Sequence, residues 1–381
     1  MTTRTAEQAP AQSLARGAAG TALLRVEQAM AGTGTWAAAH AAITSAAAEP
    51  LDAGPGAALY AGAPALAFVL LAARADGQPR YQAAASELNR HVLGAARKRL
   101  AAARDRRRRG EVSFRDFDVF YGLTGIGALL MLTSPGSEEL AGVLEYLAGL
   151  ARPRLLGGTE VPGWLVPHDP DPLMPTPGGH INLGVAHGGA GILALISLSA
   201  SRGIATASQR EAIGFLCGFF GQWRLESPDG PWWPQWLTRD ELAAGVTGQR
   251  GPGRPSWCYG TPGITRALQL AAIASGDRAG QAAAEEALAA SLAPAQLARL
   301  TGPGLCHGPG GAYVTALRAA QDALTPAIAQ RLPGVAACLH TLAPCSKAGL
   351  LTGDTGTQLA LEAAQAGTPP RSGWDACLLI T

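Results

Sequence analysis

Cys258 lies in Trp257-Cys258-Tyr259-Gly260, and Cys306-His307-Gly308 follows 48 residues after it. Two cysteines and a histidine can fill three corners of a zinc tetrahedron and leave the fourth open, which is how catalytic rather than structural zinc is held. A lone cysteine more often behaves as a small buried hydrophobe. Three ligands in two matched, glycine-flanked motifs read instead as a metal site.

Those glycines belong to a repeat. A unit of Gly-x-x-small followed by an apolar run occurs at Gly17–Gly20, Gly62–Ala65, Gly122–Gly125, Gly188–Gly191, Gly260–Gly263, Gly308–Gly311 and Gly353–Gly356. The first glycines are separated by 45, 60, 66, 72, 48 and 45 residues, and the shortest of these spacings accommodates a pair of helices with short connections. The run after each glycine is apolar nearly all round, as in Ile126–Leu132 and Ile192–Leu198, and such a helix is buried. The intervening segments are mixed, as in Gln281–Leu292 with Glu285 and Glu286. Seven buried and seven outer helices predict an all-α fold, a closed α/α toroid of about seven helix pairs forming one unit over residues 1–381. An open solenoid would need polar caps at its ends, and neither end looks like one. At the mouth of a toroid, seven helix N-termini with their unpaired N–H groups would form the floor of a site. The glycines allow close approach of the loops and backbone angles forbidden to other residues.

The polar chemistry gathers just before these glycines. Asp118 stands four residues before Gly122, His187 directly before Gly188, Cys258 two before Gly260, and Cys306 and His307 directly before Gly308. If the repeats superpose, the five side chains meet at one end of one cavity. The first, second and last copies offer no ligand and read as scaffold. Asp116 competes with Asp118, since either could cap a helix; the offset to Gly122 favours Asp118.

The segments Asn182-Leu-Gly-Val-Ala-His187-Gly-Gly-Ala-Gly191, Arg254-Pro-Ser-Trp257-Cys258-Tyr259-Gly260-Thr-Pro-Gly263 and Leu305-Cys306-His307-Gly308 resemble the lanthionine synthetase C-like family. The likeness extends to Asp118–Gly122 and Leu350–Gly353, and so covers essentially the whole chain. The family contains the cyclases of class I lanthipeptide biosynthesis. The resemblance implies that Cys258, Cys306 and His307 hold zinc, that His187 is an acid/base group with Asp118 its essential companion, and that Arg254 stands beside the metal, flanked by Trp257 and Tyr259 as pocket residues. The implied reaction adds a peptide cysteine thiolate to a dehydroalanine or dehydrobutyrine of the same peptide. Zinc lowers the thiol pKa, Arg254 stabilises the enolate and His187 supplies the proton. The implied partners are a dehydrated precursor peptide with leader and core, a separate dehydratase and, in a wider membrane-associated assembly, an exporter.

Composition fits this reading. The chain has 381 residues, 48% apolar and 15% charged, with a net charge of +2, so no nucleic-acid partner is expected. Six cysteines in this length make no disulfide framework, and the N-terminus at Met1–Arg4 lacks a signal-peptide core. No apolar run is long enough to span a bilayer, and the chain reads as cytoplasmic. Arg106–Arg109 reads as a solvated loop, with contact to an acidic leader as the less favoured reading. The proline-rich insertions 157–187 and 227–257, the second carrying Trp232, Trp233 and Trp236, read as walls of the cavity mouth that contact peptide. Cys217, Cys338, Cys345 and Cys377 read as packing residues. Three rivals stand beside the cyclase. One is a thiol-capturing zinc protein, which would not need His187, Asp118 and Arg254. A second is a zinc hydrolase, which would more often use His and carboxylate ligands. The last is a purely structural zinc protein.

Overall fold

The computed structural model describes residues 11–170, 173–343 and 348–381; Met1–Arg4, Asp171 and Cys345 lie outside them. Each glycine motif starts an inner helix: Ala18–Ala31, Ala63–Ala72, Leu123–Thr133, Gly189–Ser201, Thr261–Ser275, Pro309–Asp322 and Asp354–Ala366. The first packs against the second, the second against the third and so on, and the seventh packs against the first. The ring is closed, as an α/α toroid. The apolar sequence of these helices explains their position: nine of the ten residues of Ala63–Ala72 are buried. Six outer helices follow the first six inner ones: Trp36–Ala46, Gln82–Arg109, Glu138–Ala151, Ala207–Gln222, Arg278–Ser291 and Leu332–Leu342. They are amphipathic. Glu138–Ala151 is capped by Ser137, which accepts from the Leu140 N–H at 3.2 Å, and buries Leu140, Val143, Leu144, Leu147 and Leu150 on one face.

The loops before the inner helices are stitched to one another. Ala186 N–H donates to the Cys258 carbonyl at 3.2 Å, Cys258 N–H to Cys306 at 3.1 Å, and Cys306 N–H to Leu351 at 2.8 Å. Leu350 continues to Ala15 at 3.0 Å, Leu14 to Tyr60 at 3.1 Å, and Val119 to Ala186 at 3.1 Å. The remaining seam, between the second and third repeats, is an edge-to-face contact of Tyr60 and Phe120 with ring centroids 4.8 Å apart. Corresponding residues of the repeats therefore do face one another, as the shared offsets require. The second glycine of the motif makes this approach possible. A Cβ at Gly263 would run into the Trp257 carbonyl oxygen, and one at Gly311 into that of Leu305. Close approach is the common reason for these glycines. Of the first glycines, the helix-capping Gly62 alone has a left-handed φ, 70°, while those of the other six motifs are extended.

Three expectations are revised. The seventh inner helix has no outer partner among the described residues. The chain turns inward instead, and Trp374, Cys377 and Leu378 are fully buried. Backbone carbonyls of this strap accept from Tyr60 Oη (Cys377, 2.9 Å), Trp257 Nε1 (Leu378, 2.9 Å) and Arg266 Nε (Ile380, 3.0 Å). Asp375 is bonded by Arg318 Nε at 2.6 Å and Nη2 at 2.8 Å. Secondly, Arg106–Arg109 is not a loop but the last turn of the 28-residue helix Gln82–Arg109, which ends at Gly110 with φ 77°. Alanine, leucine and arginine are strong helix formers, and cations suit a helix C-terminus. Thirdly, the two proline-rich insertions pair with each other, His180–Asn182 antiparallel to Trp236–Thr238. Their Trp232 and Trp233 are buried, Trp233 Nε1 donating to the Phe220 carbonyl at 2.7 Å, so neither ring is offered to a peptide. Cys377 is a packing residue as expected, and Cys217 and Cys338 are half-buried. Among the described residues no helix is long and apolar enough to cross a membrane.

The strap predicts that Asp375→Ala lowers stability by about 3 kcal/mol, because the mostly buried Arg318 guanidinium loses its carboxylate. Urea unfolding checks this; an unchanged midpoint would mean that packing alone holds the strap.

Candidate metal centre

Cys258 and Cys306 occupy corresponding positions of neighbouring repeats, and the backbone bond between them brings their side chains together. The two Sγ atoms and a ring nitrogen of His307 all lie within 4.8 Å of one another. Among the described residues this is the one group of three or more His, Cys, Asp or Glu side chains gathered closely enough to hold a metal ion. Cys258 is buried, Cys306 and His307 are half-buried, and both cysteines are free. Cys258 Sγ also lies 3.6 Å from Ser256 Oγ, within hydrogen-bonding reach.

The electrostatics of this trio suit a cation. A hydrogen bond from Cys306, helped by His307 and Ser256, pulls the Cys258 thiol well below its usual range against the effect of burial. The same bond, with burial, pushes Cys306 far up. A second buried thiolate at this distance is repelled by the first. A divalent metal removes that penalty and lets both sulfurs ionise. The donor set of two sulfurs and one imidazole fits zinc and leaves one tetrahedral position open.

Asp118 and His187 meet on the adjoining loops. His187 Nδ1 lies 2.6 Å from Asp118 Oδ2, and Asp118 Oδ1 accepts from the Tyr121 N–H at 2.6 Å. Asp118 is fully buried, and burial pushes its carboxyl up, opposed by the bond to His187. With Nδ1–H donating to the carboxylate, Nε2 is left free. Asp116, its rival in sequence, has a structural part: it closes a capping box with Ser113 and is bonded by Arg106.

Aromatic rings fix the imidazole. Phe114 and Tyr121 stack on His187 with centroids at 5.1 and 6.2 Å, and Phe120 lies at 5.1 Å. Tyr259 is tilted against it at 6.0 Å. Its phenol is pushed up by burial first, then by the two cysteines and Asp118, so it stays protonated. Arg254 is exposed, and its charge acts to lower the Cys306 thiol pKa. Trp257 is corrected from pocket wall to support: it is fully buried, contacts Phe120 at 5.9 Å and is bonded to the strap. Phe114 and Ser256 were not read from sequence. Phe114 lies outside the repeat, eight residues before Gly122, and no periodicity marks it.

Cys306→Ala is expected to remove most of the zinc from a protein that otherwise holds about one per chain, with helicity retained because the ring has its own apolar core. Metal analysis and circular dichroism of the variant check this; unchanged zinc would overturn the ligand set.

Comparison with known proteins agrees with the geometry. A relative from Lactococcus lactis subsp. lactis, Nisin biosynthesis protein NisC, is 25% identical over 212 residues, 54% of this chain and 49% of the relative. The chain thus spans about half the length of this curated relative in the match. The solved structure of a nisin cyclase superposes with a TM-score of 0.84 over 98% of this chain and 93% of that one, at 19% identity, which is a likeness of fold. Residues 10–379 match the family described as lanthionine synthetase C-like protein. The closed ring, the repeat register and this match over nearly the whole sequence make the chain a member of the lanthionine synthetase C-like family.

Proposed function

We propose that this chain is a zinc-dependent peptide cyclase that closes lanthionine and methyllanthionine rings, with residues 1–381 acting as one catalytic unit. The observation that carries the reading is the Asp118–His187 pair, 2.6 Å apart on adjoining loops, of which the His187 loop is hydrogen-bonded to the loop of Cys258. Capture of a thiol requires only the three ligands. A buried carboxylate holding an imidazole in one tautomer is the equipment of proton transfer.

Zinc held by Cys258, Cys306 and His307 would supply an acidified substrate thiol as nucleophile. The thiolate sulfur bonds to the β-carbon of a dehydroalanine or dehydrobutyrine, and the electrons of the double bond move to the adjoining carbonyl as an enolate. Arg254 is a cation for that oxygen, and the neutral Tyr259 phenol is a second donor at the rim. His187 delivers a proton from Nε2 to the α-carbon, matching the one the thiol releases on becoming a thiolate, and Asp118 holds the imidazole through Nδ1. The Phe114, Phe120 and Tyr121 rings hold the imidazole in place and shield it from water. The substrate is a precursor peptide with leader and core, already dehydrated by a separate dehydratase. The cytoplasm, where thiols stay reduced, suits both the substrate and the two free ligand cysteines. An exporter is the partner expected downstream.

Ring closure is an isomerisation, so the dehydrated precursor should keep its mass while its cysteines stop reacting with alkylating reagents after denaturation. Hydrolysis would change the mass by a water, and thiol capture alone would restore alkylation on denaturation; either result refutes the cyclase. His187→Asn is expected to retain zinc and bind peptide while ring closure slows by roughly two to four orders of magnitude. A near-parental rate would assign the proton to another group.

A further inference from the structure

Residues 90–115 carry ten Arg or Lys side chains and two carboxylates, whereas the whole chain has a net charge of only +2. The rest of the protein is therefore net negative, and its cations are concentrated on one segment. The helix Gln82–Arg109 arranges them. Arg90, Arg97 and Arg104 follow at two-turn intervals, and Arg108 comes one turn later. The four fall on one solvent-facing stripe, with Arg90, Arg97 and Arg108 at 71%, 69% and 72% side-chain exposure and Arg104 also exposed. Lys98 is exposed beside them. The stripe is about 27 Å long, the length of an extended peptide of about eight residues.

We propose that this stripe is a docking track for an acidic, extended segment of the peptide substrate. The inference rests on the proposed function in one respect, that the substrate is a peptide. Three observations favour such an occupant. The residues between the arginines on that face are small, Gly94 and Ala101, so a peptide backbone can lie close to the helix. The apolar face, Leu88, Val92, Ala96, Leu100 and Ala103, is buried in the ring, so the helix has nothing to insert into a bilayer. The helix that carries the track also ends beside the site: from its opposite flank Arg106 pairs with Asp116, two residues before Asp118, and midway Arg99 donates to the carbonyls of Pro55 and Tyr121.

Carboxylates already face the stripe: Glu87 pairs with Arg90, Glu139 with Arg97 and Asp105 with Arg108. The pairs at Arg90 and Arg108 are exposed on both sides and weak, and a ligand's carboxylates exchange with them at little cost. Attraction of this kind is screened by salt and releases its ligand readily. That suits a track that holds one part of a peptide while another part reacts.

The test uses fluorescein-labelled decaglutamate, with decaglutamine as the neutral control, and follows anisotropy at low and physiological salt. Decaglutamate should bind at low salt and weaken as salt rises. Replacing Arg90, Arg97, Arg104 and Arg108 together by Gln should weaken it at least about tenfold. The same change at the exposed Arg25, Arg210, Arg278 and Arg331 should leave it within about twofold. Ala101→Glu, which removes no arginine and sets a carboxylate on the stripe, should act in the same direction as the first variant. Zinc content and helicity are measured on each variant. Absence of binding at low salt overturns the proposal. Equal weakening in both quadruple variants does so too, as does preferred, arginine-dependent capture by vesicles of equal parts phosphatidylserine and phosphatidylcholine. Because binding is read without ring closure, a chain that closes no rings but binds through these arginines would sink the cyclase and leave the track standing. One that closes rings and ignores the substitutions would sink the track alone.

Discussion

The structure depends on one set of backbone hydrogen bonds, those that join the loop before each inner helix to the loop before another. They set the register of the repeats. Because Ala186, Cys258, Cys306 and Leu351 are bonded in succession, any side chain one or two residues before the glycine must face the same end of the ring. Ligand residues from separate repeats converge without any contact between them in sequence. The glycines serve this constraint, since a Cβ at Gly263 or Gly311 would push the helix off the carbonyl beneath it. Mutation of either would disturb the helix and Cys258 or Cys306 together.

The strap closes the same construction from inside. Its carbonyls hold Tyr60 and Trp257, both of which pack on Phe120, and Phe120 packs on His187. Buried polar groups must be satisfied, and Arg266 and Arg318 find their partners in or beside this segment. His187 and the loop of Cys258 thus lean on one support. The close approach of Cys258 and Cys306 pulls the first thiol down and pushes the second up, and burial keeps Tyr259 protonated.

The convergence of Asp118, His187, Cys258, Cys306 and His307 was legible in the sequence because each stands within four residues before the first glycine of a repeat, which is a one-dimensional signal. The inner helices were legible for the same reason, each being a largely apolar run that follows a repeat glycine. Features made by contacts between distant segments were not. The pairing of His180–Asn182 with Trp236–Thr238 joins two insertions that look irregular when each is read alone. Trp257 sits beside a ligand and reads as pocket, yet the side of the loop it faces is decided by the strap over a hundred residues later. Arg106–Arg109 looked like a loop because charge runs usually are solvated, while the helix-forming strength of the alanines before it carried the helix through.

The central claim is that the ring's register assembles a three-ligand metal centre with one position left for a thiol. X-ray absorption at the zinc edge tests it most directly. The zinc-loaded protein should show two sulfurs at about 2.3 Å and one imidazole nitrogen at about 2.0 Å, and a small thiol should add a third sulfur. A shell of four protein ligands that a thiol leaves unchanged, or one without sulfur, would contradict the account.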